Sequence, residues 1–173
     1  QLDLYNDIFE KNFSENHLIG LGITSRKTIN NDYNYYNSFS IFDSKVNLID
    51  NYNKIKLVPF GEFVPIENIL NKFGLKTITN NIGSFDKGVN RKIIKIQDDL
   101  KQINFLPLIC YEIIYSGNLT KNFDFDFILN ISEDGWFGKS IGPKQHFVHS
   151  KFRAVENGKY IIRSSNNGMA AII

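Results

Sequence analysis

The stretch Leu106-Pro107-Leu108-Ile109-Cys110-Tyr111-Glu112-Ile113-Ile114 decides how the chain is read. A short apolar run that closes on polar residues has the length of a buried strand rather than of a helix. Its last residue, Cys110, is the only cysteine in the chain. Open α/β sheets carry their chemistry at strand ends, so a thiol there is presented at the rim of the sheet. With the Glu112 carboxylate two residues on, Cys110 is a candidate nucleophile. The alternative at this point is a cysteine that only fills space, since free cysteine is among the most buried residue types.

The composition sets the bounds around this stretch. A chain of 173 residues can bury the core of one domain, and its 42% hydrophobic and 22% charged content is ordinary for a globular protein. A net charge of +2, with basic residues scattered as singles and pairs such as Arg26-Lys27 and Arg91-Lys92, gives no support to nucleic-acid binding or to an anionic membrane surface. A single cysteine excludes an internal disulfide. The longest apolar stretch, around 103–115, is interrupted by Asn104, Pro107 and Glu112 and falls short of the roughly 18 residues a spanning helix needs. The chain starts on Gln1 and stops inside the apolar run Met169-Ala170-Ala171-Ile172-Ile173, so a piece of a longer protein is expected, incomplete at both ends.

Periodicity gives the element order. Leu4, Ile8, Phe9 and Phe13 predict a leading amphipathic helix. Residues 18–24 and 33–42 read as strands around a polar turn, with 46–50 extending them as a hairpin. Two prolines and a glycine between Val58 and Pro65 make 52–65 a structured loop leading to a short helix over 66–73, and 80–90 is a Gly- and Asn-rich loop. Strands are expected at 93–96, 103–110 and 125–131, then the loop Ser132-Glu133-Asp134-Gly135-Trp136-Phe137-Gly138. A helix over 143–157 has Pro143 in its first turn, Gly158 as its cap, and Phe147, Val148, Phe152 and Val155 as its apolar face. Strands at 160–164 and 169–173 close the chain. Strands outnumber helices but alternate with them, which predicts an α/β or α+β fold with a layered sheet.

Three loops at strand ends carry polar residues that structure alone does not require. They hold Lys54 and Glu62, Cys110 and Glu112, and Ser132 to Gly138. A nucleophilic thiol needs a group that lowers its pKa and positive charge where the oxyanion develops. Lys54 can supply the cation, and Glu62 or Glu112 can orient it or move protons. His146 and His149 stand at i, i+3 on the late helix, but no third ligand of metal-site spacing accompanies them, so they read as helix-surface or pocket-lining residues and no metal or cofactor is expected.

These motifs resemble the nitrilase-like (carbon–nitrogen hydrolase) superfamily, and within it the bacterial apolipoprotein N-acyltransferase family. The superfamily features are Tyr52-x-Lys54, then Leu57-x-Pro59-Phe60-Gly61-Glu62, and Cys110-Tyr111-Glu112. The sharper ones are LVPFGEFVP at 57–65, ICYEI at 109–113, WFGKSIGPKQH at 136–146, and Arg153-Ala154-x-Glu156 followed by Arg163-Ser-x-Asn166-Asn167-Gly168. The resemblance implies an α-β-β-α layered sandwich and a Glu–Lys–Cys triad that forms acyl-enzyme thioesters. Cys110 is then the nucleophile and Lys54 the oxyanion-stabilising lysine, favoured over Lys56 by the Tyr-x-Lys spacing. Glu62 and Glu112 become supporting carboxylates, and Tyr111, Trp136 and Phe137 substrate-binding residues. The general-base Glu normally follows a Pro upstream, and no Pro-Glu pair precedes Lys54, so the base and the family's membrane helices are expected outside this chain. Glu133 stands where an Asn is expected.

The implied reaction moves an acyl chain from a phospholipid donor through Cys110 to the N-terminal diacylglyceryl-cysteine of an apolipoprotein acceptor. The parent would sit in the bacterial inner membrane with this domain on the outer, periplasmic side. A soluble nitrilase-type amidase is the alternative within the superfamily, and a non-catalytic binding domain the alternative outside enzymes. Without its base the isolated chain is expected to be inactive.

Overall fold

The computed structural model describes residues 6–65, 84–97, 101–117, 119–120 and 124–173. The helix expected over 66–73 and the start of the 80–90 loop lie outside these residues. The leading helix is present as α1 (Asn6–Asn12).

Strands β1 (Ile19–Ile29), β2 (Asp32–Phe42) and β3 (Leu48–Asn53) form one antiparallel sheet. The polar segment expected as a turn is instead mostly strand, paired in register from Ile19↔Phe42 to Ile29↔Asp32. The reversal needs only Asn30 and Asn31, at φ of 50° and 69°. Two consecutive left-handed residues are what a tight hairpin of this twist demands, and Asn tolerates that conformation better than other non-glycine residues. Polar side chains before the turn lie on an exposed part of the ribbon, so composition alone mistook strand for loop. β3 likewise runs further than expected and ends on Asn53. Lys54 therefore directly follows a strand, and its N–H still reaches the Asn37 carbonyl on β2 at 2.8 Å.

The second sheet has the order β4 (Ile94–Gln97), β5 (Gln102–Ile109), β6 (Phe127–Glu133), β7 (Tyr160–Asn166), β8 (Ala171–Ile172). Its three central strands are parallel and its edges antiparallel. Parallel strands are buried on both faces, which explains the unbroken apolar run that ends β5. Phe105 and Ile109 pack toward the first sheet with Phe39, Ile41 and Tyr52. Leu106 and Leu108 pack the other way with Ile113, Ile128 and Ile161, against which Ala154 leans. Each such side chain contributes about 1.5–3 kcal/mol by leaving water.

Helix α2 (Gly142–Asn157) starts with Pro143 in its first turn and ends at Gly158, whose φ of 59° is the left-handed cap the sequence predicts. Its orientation is a correction. The face that packs is His146, Ser150 and Arg153, while Val148, Phe152 and Val155 stand 41%, 57% and 84% exposed. Positions 146, 150 and 153 also form a helical stripe, and their polar groups find partners beneath. Hydrophobicity therefore picked the wrong side.

The layers are three-stranded sheet, five-stranded sheet and α2, the α/β sandwich expected. Among the described residues no helix is long and apolar enough to cross a membrane.

Candidate active site

Cys110 does not extend β5 but opens a 3-10 turn, Cys110–Ile114, with φ of 49°. A non-glycine residue held there costs about 1–3 kcal/mol unless its surroundings fix it. Glu112, fully buried, supplies that fixing. Its carboxylate accepts the N–H groups of Ile109 at 2.9 Å, Ile55 at 3.0 Å and Lys56 at 3.1 Å. It also accepts the Tyr52 hydroxyl at 2.9 Å and pairs with Arg91 at 3.0 Å. One side chain thus ties the turn bearing Cys110 to the segment bearing Lys54. Burial pushes the Tyr52 phenol well above its ordinary pKa, with the Glu112 charge adding to it.

Lys54 is 1% exposed and its ammonium donates to both oxygens of Glu62, at 2.8 and 2.7 Å. Glu62 is held in turn by the Val58 N–H at 2.8 Å and the Asn37 amide at 2.5 Å. The Lys54 carbonyl accepts the Gly88 N–H at 2.9 Å, and a Cβ on Gly88 would lie 2.2 Å from the Asn53 carbonyl oxygen, so only glycine allows this approach. Lys56, the competing lysine, is exposed and lies 5.4 Å above the Tyr115 ring.

The third loop follows β6. Asp134, buried, accepts the Ser132 hydroxyl at 2.6 Å and the Arg163 guanidinium at 2.8 Å, and lies 2.8 Å from His146 Nδ1. His146 Nε2 lies 3.2 Å from the Cys110 carbonyl oxygen, so this network backs the turn that bears Cys110. Burial works to raise the Asp134 pKa, but the Ser132 and His146 hydrogen bonds and the Arg163 charge outweigh it and hold it below the usual range. Burial pushes His146 down, and the Arg163 charge adds to that against the Asp134 hydrogen bond. A Cβ on Gly168 would lie 2.2 Å from an Asp134 oxygen, so glycine there makes room for the carboxylate. The sequence motifs contained Asp134, His146 and Arg163 without revealing that they meet. The one available signal was a charged residue inside the apolar strand β7.

A cavity of about 590 Å³ joins the three loops. That is ample for a small-molecule ligand. Cys110, Lys54 and Glu62 line it, as do Tyr111, Trp136 and Phe137, so six of the seven residues singled out by sequence meet there. Glu112 does not line it and lies behind the turn. Leu21, Val58, Phe85, Ile109 and Ile131 make most of the wall apolar, and Trp136 stands 79% exposed. Cys110 Sγ is 4.0 Å from the Glu133 carbonyl oxygen. An ammonium and a thiol in one largely apolar cavity can together stabilise a thiolate and then an oxyanion.

A family model described as carbon-nitrogen hydrolase matches residues 14–173. The apolipoprotein N-acyltransferase of Rhizobium leguminosarum bv. trifolii is 41% identical over 140 residues, covering 80% of this chain and 26% of that protein. The one from Wigglesworthia glossinidia brevipalpis is 44% identical over 152 residues, covering 81% and 28%. The chain thus spans about a quarter of the length of the curated relatives it matches. Among solved structures, the carbon-nitrogen hydrolase of Helicobacter pylori G27 aligns with a TM-score of 0.59 at 13% identity, over 94% of this chain and 49% of that one. The glutamine-dependent NAD+ synthetase of Acinetobacter baumannii aligns with a TM-score of 0.61 at 16% identity, over 95% and 26%. With the family model spanning almost the whole sequence and the sandwich shared with both structures, the chain belongs to the carbon-nitrogen hydrolase family.

Proposed function

We propose that this chain is part of the catalytic domain of an N-acyltransferase that moves an acyl chain from a phospholipid to the N-terminal diacylglyceryl-cysteine of an apolipoprotein. The observation that carries this reading is the roomy, mostly apolar cavity that holds Cys110 together with the Lys54–Glu62 pair. The relatives' name, apolipoprotein N-acyltransferase, supports an apolipoprotein as the acceptor of an N-acyl group. In the first step the Cys110 thiolate attacks the ester carbonyl, and the Lys54 ammonium stabilises the tetrahedral oxyanion. The proton that the Cys110 thiol gave up is passed by the general-base Glu that the family resemblance implies to the glycerol oxygen, which leaves as lysophospholipid. In the second step the acceptor's neutral α-amine attacks the thioester, loses a proton, and releases the Cys110 thiolate. The apolar wall shields the thioester from water between the steps. Phospholipid and acceptor both place the parent protein at the bacterial inner membrane, with this domain on its periplasmic side.

The test is the full-length protein with labelled phospholipid and a diacylglyceryl-cysteine peptide, following lysophospholipid and N-acyl peptide together. Equal amounts of the two products are expected, whereas free fatty acid in place of N-acyl peptide would mark a hydrolase. Lys54→Met keeps the side chain's bulk and removes its charge, and should slow acylation about 10²-fold or more. Activity within a few-fold of wild type would remove Lys54 from the oxyanion role.

A further inference from the structure

Among the described residues Glu133 is the charged residue of the cavity that the proposed chemistry leaves unused. It ends β6, its carbonyl oxygen lies 4.0 Å from Cys110 Sγ, and it lines the cavity beside Asn166. Its carboxylate is not free to swing. It accepts the Gly135 N–H at 2.6 Å, the Asn167 amide at 3.1 Å and the Asn166 amide. These donors, Asn167 foremost, hold its pKa below the usual range, so it is an anion throughout the neutral region. The three N–H donors are uncharged, and among the described residues Glu133 has no ion-pair partner. Lys54, the ammonium on the cavity wall, is engaged by Glu62 at 2.7 Å. Among the described residues the charges lining the cavity are Lys54 against Glu62 and Glu133, which leaves one fixed negative charge there without a counter-charge. The next residue but two, Trp136, lines the same cavity and exposes 79% of its surface. A carboxylate and an exposed indole three residues apart on the wall of one cavity are what a cation with an organic body binds to.

We propose that Glu133, with Trp136, forms a subsite for a primary ammonium group at the polar end of the acyl cavity. This rests on the acyltransferase reading above. Two substrates carry such a group: a phospholipid with an ethanolamine head group, and the acceptor, whose N-terminal amine is mostly protonated at neutral pH. Either would arrive with its charge met by Glu133 and its reacting carbon or nitrogen near Cys110, and the acceptor's ammonium then gives up a proton to solvent before its neutral nitrogen attacks the thioester.

The full-length protein and its Glu133→Gln variant separate the two sources. Gln keeps the shape and part of the hydrogen bonding but not the charge. In the first arm, thioester formation on Cys110 is measured with phosphatidylethanolamine and with phosphatidylglycerol, and the ratio of kcat/KM values is taken. In the second arm, the preloaded thioester is discharged by the diacylglyceryl-cysteine peptide or by hydroxylamine, which is uncharged at neutral pH, and the same ratio is taken. A fall of about tenfold in the first ratio places the donor's ammonium at Glu133, and a like fall in the second places the acceptor's. Glu133→Lys should deepen whichever fall is seen, and added salt should shrink it in wild type. If both ratios stay within twofold of wild type, the subsite is refuted, even if all rates drop together, because an equal drop reports only a disturbed loop. Absence of any thioester on wild-type Cys110 would instead refute the acyltransferase reading.

Discussion

Glu112 fixes the turn that bears Cys110 without lining the cavity that Cys110 lines. Five donors converge on one buried carboxylate, three of them backbone N–H groups from two separate segments. Those N–H groups would be left without partners if it were lost, and Arg91 without a counter-charge. Breaking a buried pair in this way costs about 3–5 kcal/mol. We expect Glu112→Ala to lower the unfolding free energy by about that amount in denaturant titration. Tyr52→Phe, which removes one donor of the five, should cost only about 1 kcal/mol. A Glu112→Ala variant as stable as wild type would mean that Cys110 holds its left-handed backbone without this clamp. The sequence placed Glu112 two residues after Cys110 and could not say which side of the turn its carboxylate faces, because a five-residue turn places side chains by its dihedrals rather than by a strand's or a long helix's periodicity.

Among the elements, α2 and the first hairpin separate what patterning can read from what it cannot. Helix length, start and stop were legible because Pro143 and Gly158 act locally. The buried face was not, because His146, Ser150 and Arg153 are chosen by partners distant in sequence, such as Asp134 on the loop after β6. The exposed stripe gives a direct check. Val155→Lys should change stability by no more than about 0.5 kcal/mol in thermal unfolding, as at any exposed position. Ser150→Leu, at a fully buried and tightly packed site, should cost about 1–3 kcal/mol. In the hairpin, Asn31 at a φ of 69° is the residue that sets where the ribbon turns. Asn31→Val should cost about 1–2 kcal/mol, since a β-branched side chain resists that conformation. Loss of less than half of that would argue that the strands, not the turn, fix the register.

At the scale of the whole molecule, the buried network behind Cys110 couples stability to pH. Both His146 and Asp134 have lowered pKa values in the folded state. On acidification the unfolded chain therefore takes up protons before the folded one does. The His146 contribution is complete above its ordinary value of 6.5 and is lost as pH falls below it. The Asp134 contribution follows, lost below its ordinary value of 3.8. The unfolding midpoint should fall between pH 7 and pH 5, and His146→Gln should flatten that segment of the profile. An unchanged slope in the variant would remove His146 from the coupling.

The order of the elements was legible because apolar runs and turn residues announce it, and Cys110 because it closes one of those runs; that Cys110, Lys54 and Glu62 meet followed from the family resemblance rather than from the runs. The Asp134–His146–Arg163 network was not, since its members look like ordinary surface residues until β6, β7 and α2 are packed together. The charge at Glu133 was visible as an unexpected residue, and only the cavity gave it a neighbour to act on.

Intact-mass measurement of the full-length protein after incubation with phospholipid bears most directly on the proposed chemistry. One added acyl group, removed by hydroxylamine and mapped to Cys110, is the expected result, and Cys110→Ala should carry none. A wild-type protein without the adduct, or an adduct that survives Cys110→Ala, would contradict a thioester on this cysteine.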